Sequence, residues 1–117
     1  MTIMGHKIRK YHGDCFFEND EEFRFDLFTI IDSGYIVANV SGNCEYGPYK
    51  GEIRINLQEG VYHGEGLVTY SGISVYSFSL SLAINITESF CYISDGIWQE
   101  GGYEYHFQGE LERISSE

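Results

Sequence analysis

Apolar and polar residues alternate with a period of two along much of the chain, which is the pattern of strands that bury one face. In the C-terminal segment Tyr103, Tyr105, Phe107 and Leu111 share one parity, and polar residues occupy the other. Three further segments carry similar apolar stripes: Phe23, Phe25 and Leu27; Ile53, Ile55 and Leu57; and Tyr76, Phe78, Leu80, Leu82, Ile84 and Ile86. Each stripe predicts a half-buried strand.

Turn signals rich in glycine separate these segments, as at Glu59-Gly60, Ser71-Gly72 and Glu100-Gly101-Gly102. The strands are predicted near residues 14–20, 23–31, 35–46, 49–57, 61–70, 73–86, 89–98 and 102–114. We therefore predict an all-β fold, an antiparallel meander of about seven or eight strands forming a small barrel or sandwich. Residues 1–117 are predicted to form a single β domain.

Glycines inside the strand-like segments favour the barrel, because glycine often marks bulges and corners of strongly curved sheets. These glycines are Gly42, Gly51, Gly64, Gly66 and Gly109. At the end of the first predicted strand, Asp20-Glu21-Glu22 fits either the cap of a short helix or a turn.

Composition narrows the classes of function. Ten Tyr and eight Phe in 117 residues predict a folded chain with a sheet-based core rather than disorder. Eighteen acidic residues against seven Lys plus Arg give a net charge of -11. A body of this charge repels polyphosphate, so we expect no direct binding of nucleic acid.

The sequence predicts a cytoplasmic protein without a membrane anchor. Tyr11-His12-Gly13-Asp14 stands where a secretory signal would need an apolar run, and Leu27–Ile31 is too short to cross a membrane. Cys15, Cys44 and Cys91 are an odd set with wide spacing, which favours reduced thiols.

The chain contains no motif of a common enzyme or metal site. His6, His12, His63 and His106 lack metal-ligand spacing, although a sheet can bring distant ligands together. An enzyme would need His63 or His106 to converge with a carboxylate in a cleft. We expect no enzymatic activity, no metal and no cofactor.

Gly96-Ile97-Trp98 has the Gly-x-Trp form of the lipocalin and fatty-acid-binding families, and a meander of this length resembles their barrel. The resemblance implies an intracellular carrier of a small apolar ligand in a cavity lined by Tyr and Phe. The family tripeptide lies on the first strand, whereas here it lies near the chain's end, so no ligand residue is carried over. Such carriers bind the carboxylate of their ligand with buried basic groups. Arg54 falls on the polar parity of its strand, and Arg24 is the one residue whose face the pattern leaves ambiguous.

Acidic residues are distributed unevenly along the chain. No Lys or Arg lies between Arg54 and Arg113, a stretch that contains Glu59, Glu65, Glu88, Asp95, Glu100, Glu104, Glu110 and Glu112. A solvated surface that maintains solubility would explain this surplus. Because self-repulsion costs stability, a cationic partner explains it as well.

In size, acidity and lack of a catalytic motif, the chain resembles the immunity proteins of bacterial toxin–immunity pairs, such as those of contact-dependent growth inhibition systems. The resemblance implies a cytoplasmic inhibitor that binds a basic toxin domain, a nuclease, and masks its active site or an adjacent surface. We predict tyrosines as anchors of this interface. The predicted partner-binding residues are Asp20, Glu21, Glu22, Glu104, His106, Glu110 and Glu112.

Overall fold

The computed structural model describes residues 8–32 and 34–114, which form eight strands and no helix. The strands are β1 (Ile8–Phe17), β2 (Glu22–Ile31), β3 (Tyr35–Cys44), β4 (Gly47–Gln58), β5 (Val61–Tyr70), β6 (Ser74–Ile86), β7 (Phe90–Glu100) and β8 (Tyr103–Arg113). Each strand pairs antiparallel with the next, and β1 pairs with β8, so the sheet closes into a barrel. The predicted all-β meander is confirmed, and the alternatives of barrel and sandwich resolve to a barrel.

Closure buries one face of every strand. The β1–β8 ladder runs from Tyr11 opposite Arg113 to Phe17 opposite Phe107, and no strand of the eight is left as a sheet edge. An eight-stranded barrel has an interior just wide enough for its side chains to fill. Aromatic rings fill much of it here, with Phe23 and Phe107 4.9 Å apart and Phe78 stacked on Trp98 at 4.5 Å.

The first strand begins earlier than the predicted segment 14–20. β1 spans Ile8–Phe17, and residues 18–21 form the turn to β2, in which Asp20 has a φ of 70°. This geometry identifies the acidic run as a turn rather than a helix cap. The first part of the strand was missed because polar residues surround the fully buried Tyr11 and hide the alternation.

A bulge in β2 corrects the predicted inward position of Leu27. Phe25 lies opposite Val40 while Leu27 lies opposite Asn39, which leaves Asp26 as the extra residue. After a bulge, the residues of the strand that face inward change from one parity to the other. Phe28 is therefore fully buried, whereas Leu27 is only partly buried.

Two predicted glycines allow β4 and β5 to approach closely. A Cβ on Gly66 would lie 2.8 Å from the Cα of Ile53 and would overlap the carbonyl oxygen of Glu52. Gly64 of β5 approaches the β4 backbone in the same way, since a Cβ on Gly64 would lie 2.7 Å from the Cα of Ile55. Because backbone atoms cannot yield as a flexible side chain can, these positions require glycine.

We predict that Gly66→Ala lowers the free energy of unfolding by about 1–3 kcal/mol through overpacking, measured by urea denaturation. Gly34→Ala is the matched control, because the nearest atom to its Cβ would be Cβ of Leu57 at an ordinary 3.8 Å. The control should change stability by less than about 0.5 kcal/mol. Equal losses in both variants would contradict the proposed close approach.

Candidate functional site

A cavity of about 920 Å³ opens at the end of the barrel that carries the β1–β2, β3–β4, β5–β6 and β7–β8 turns. We call this cavity the cup. Its walls are the last inward-facing side chains of the strands together with turn residues such as Glu21, Glu45 and Tyr46, and inward-facing side chains near the rim are left partly exposed. Tyr105 shows the effect, since it shares the inward parity of buried Phe107 and yet is 44% exposed.

Aromatic residues are eight of the eighteen that line the cup. The rings of Tyr49 and Tyr70 are 5.4 Å apart, those of Tyr70 and Tyr76 are 5.8 Å apart, and Trp98 lies 6.0 Å from Tyr49. Because Trp98 also stacks on the buried Phe78, it joins the cup to the packed core. The aromatic lining comprises Phe17, Tyr46, Tyr49, Tyr70, Tyr76, Trp98, Tyr103 and Tyr105.

Glu100 provides a fixed carboxylate within this aromatic wall. The hydroxyl of Tyr70 donates to both carboxylate oxygens at 2.9 Å, and the indole Nε1–H of Trp98 donates to Oε1 at 2.9 Å. Both donors are neutral, so they orient the carboxylate without cancelling its charge. Glu100 is the last residue of β7 and shares the inward parity of Trp98.

The cup is electrically negative. Glu21 and Glu45 line it together with Glu100, and none of the described residues along its wall is Lys, Arg or His. Burial raises the pKa of Tyr70, and its hydrogen bond to Glu100 raises that pKa further. Burial likewise raises the pKa of Tyr49. Both phenols therefore remain protonated at neutral pH, and Tyr70 remains a donor to Glu100.

The predicted residues of β8 lie on the outside of the barrel as one strip. Glu104, Glu110 and Glu112 are exposed, and His106 is partly exposed between them. Glu104 and Glu112 are eight steps apart along the strand, which at roughly 3.4 Å per residue in an antiparallel strand is about 27 Å. Glu104 lies towards the cup, and Glu112 lies towards the opposite end of the barrel.

The predicted acidic turn lies beside the cup end of this strip. The backbone N–H of Glu18 donates to the carbonyl of His106 at 3.1 Å and ties the turn to β8. Asp20 and Glu22 are exposed, whereas Glu21 lines the cup. The predicted site residues therefore divide between an outer face and a cavity that sequence reasoning did not locate.

Neither histidine of the enzymatic alternative points into the cup. His106 lies 3.7 Å from a carboxylate oxygen of Asp95 and 3.9 Å from one of Glu104, on the outer face of the sheet. Nδ1 of His63 lies 3.0 Å from Oγ of Ser81. Within the described ranges no group of three or more His, Cys, Asp or Glu is arranged to hold a metal, and His6 lies outside those ranges.

One basic residue on the inward face was overlooked in the sequence. Arg9 lies opposite the fully buried Ile30, and residues opposite each other in an antiparallel pair share a face. Its Nε is buried, as is the hydroxyl of Tyr11, and neither atom has a hydrogen-bond partner among the described residues. By contrast, Arg24 points outward, where NH1 donates to Asp14 at 2.9 Å, and Arg54 is exposed.

Comparison with protein-family models, curated proteins and solved structures finds no match to this chain. Within the part of the chain that the structure describes, no helix is long and apolar enough to span a membrane.

Three cysteines occupy two different environments. Cys15 and Cys91 are buried, whereas Cys44 is partly exposed and lines the cup. Burial raises the pKa of Cys91 to about 12 against the opposing charge of Arg9, and burial raises the pKa of Cys15 as well. Since the thiolate is the reactive form, both buried thiols should be inert at neutral pH.

We predict that iodoacetamide modifies only Cys44 rapidly in the folded protein, with Cys15 and Cys91 reacting at least roughly tenfold more slowly. Mass spectrometry of timed samples measures the three rates. Cys44→Ser should remove the fast phase, and urea should make all three sites of the wild type react. A second fast site in the folded wild type would contradict the burial described above.

Proposed function

We propose that this chain is an immunity protein that binds the basic domain of a protein toxin, a nuclease, and neutralises it by covering its active site or an adjacent surface. The observation that carries the proposal is an outward acidic surface on neighbouring strands. We call this surface the acidic face, and it consists of Asp14 and Glu22 with Glu104, Glu110 and Glu112.

The acidic face places like charges side by side. Asp14 of β1 lies directly opposite Glu110 of β8, an arrangement that destabilises an antiparallel pair. Arg24 compensates Asp14 at 2.9 Å, but among the described residues no ion pair is formed by Glu110 or Glu112. A cationic partner would relieve this repulsion, which a merely solubilising surface could avoid by spacing its charges.

Aromatic side chains accompany these charges on the outside of the barrel. Phe16 is 52% exposed. Phe90 and Tyr92 stack with ring centroids 5.7 Å apart, and they lie opposite Glu112 and Glu110. Binding interfaces combine such aromatic anchors with charged rims, where the anchors contribute most of the energy and the charges guide association.

We predict that Glu110→Lys with Glu112→Lys slows association with the basic toxin domain roughly tenfold at low ionic strength and weakens its salt dependence. The reason is that two negative charges are replaced by two positive ones, which changes the net charge of the contact surface by four units. The partner to be used is a variable basic C-terminal domain of a large secreted protein, to be sought in the adjacent upstream gene, and stopped-flow kinetics measure the rates. Protection of cells that express this domain provides the functional readout.

The matched control is Glu52→Lys with Glu65→Lys. It changes the net charge equally at exposed positions on β4 and β5, on the other side of the barrel. We expect it to retain most of the wild-type association rate. Equal slowing by both double variants would show that the acidic face is not part of the interface. Failure of the wild type to bind or protect would overturn the proposed function.

We propose as the second candidate a carrier of a small apolar ligand with a carboxylate, and the inward Arg9 favours it. Its buried Nε and the buried hydroxyl of Tyr11 lie on the same face of β1 without hydrogen-bond partners among the described residues. Buried donors without partners are costly, so a carboxylate that accepted from them would be stabilised.

For the carrier we predict that decanoate raises the melting temperature of the wild-type protein by a few degrees, which is the stabilisation expected of a ligand well above its Kd. Arg9→Gln should abolish this shift, and Arg54→Gln, at an exposed outward position, should retain it. Differential scanning calorimetry makes the measurement. No shift in the wild type, or the same shift in Arg9→Gln, would contradict a carboxylate site at Arg9.

A further inference from the structure

We propose that the cup is a binding site for an organic cation and that it receives an arginine or lysine side chain of the basic partner. The first part concerns the cup alone. The second part rests on the proposed function and supplies the source of the cation.

The ring faces of the tyrosines suit a cation. Aromatic rings carry negative charge on their faces, and cations within about 6 Å of a ring centroid are attracted to them. Tyr49, Tyr70 and Tyr76 form a consecutive group with spacings of 5.4 and 5.8 Å, and Trp98 lies 6.0 Å from Tyr49. A guanidinium or ammonium group in the cup therefore meets several rings at once.

Glu100 supplies the charge complement at a defined point. An ionised carboxylate has about four acceptor positions, and the hydroxyl of Tyr70 and the indole of Trp98 are its two donors here. Because both donors are neutral, the charge of Glu100 is uncompensated and acceptor capacity remains. A guanidinium can donate hydrogen bonds to the remaining acceptor positions of Glu100 while it stacks on the neighbouring rings.

Other classes of ligand fit the cup less well. An anion would be repelled by Glu21, Glu45 and Glu100, since no cation lines the described wall. A purely apolar ligand would desolvate these carboxylates without pairing them. The volume of about 920 Å³ is large enough for a long side chain together with part of the loop that carries it.

Trp98 is the only tryptophan of the chain, so its fluorescence reports directly on the cup. We propose to titrate the folded protein with N-acetyl-arginine methylamide, with the equivalent lysine compound, and with N-acetyl-citrulline methylamide, the neutral isostere of the arginine probe. A saturable change should occur with the two cations, and the arginine probe should bind at least about tenfold more tightly than the citrulline probe.

One variant in the cup and one control outside it separate loss of charge from loss of the fold. Glu100→Gln keeps an acceptor for Tyr70 but removes the charge, so it should weaken binding of the arginine probe about tenfold and leave citrulline unchanged. Glu65→Gln is the control for loss of one negative charge at an exposed position outside the cup, and circular dichroism verifies the fold of each variant.

Equal binding of arginine and citrulline probes, absence of a saturable response, or equal weakening by Glu65→Gln and Glu100→Gln would each overturn the cation site. The toxin domain tests the source of the cation separately. Slower dissociation from the wild type than from Glu100→Gln would assign that cation to the partner. If the arginine probe binds but no basic domain does, the cup remains a site for a free organic cation and the proposed function fails.

Discussion

The pairing of β1 with β8 is the constraint on which the rest of the structure depends. Closure divides every side chain of the sheet into inward and outward sets, and eight strands leave an interior that large side chains can fill. Phe23, Phe107 and Trp98 form the layer of the core next to the cup. At the cup end the inward set continues into Tyr70 and Tyr105, which line the open cavity instead of the packed core. The same rule of alternation therefore produces both the core and the cavity.

Closure also determines where charge can be placed. The surplus of carboxylates must lie outside or at the ends, because a charge in the packed middle would be desolvated without a partner. Among the described residues, no polar or charged residue is fully buried. Charged side chains on the inward face occur near the strand ends, with Glu100 at the cup and Arg9 on β1. These two positions support the two candidate ligand sites, which have opposite charge preferences.

Alternation and turn signals were sufficient to predict the meander, because both are local properties of the sequence. The outward strip from Glu104 to Glu112 also followed from parity alone. The bulge at Asp26 did not, since a single extra residue depends on the neighbouring strands and not on local pattern. Arg9 was missed for a related reason: its face could be assigned only after it was known to lie opposite Ile30.

The cup was the hardest feature to predict, because its members come from separate strands and share no spacing. One signal was available in Glu100, an acid on the parity of Trp98 immediately before a turn. The turn of residues 18–21 then connects the two proposed surfaces, since Glu21 lines the cup while the next residue, Glu22, lies on the acidic face. A basic protein seated over the cup therefore meets the acidic face across one short turn. Aromatic contacts in the cup and charge steering outside it would then act on the same partner.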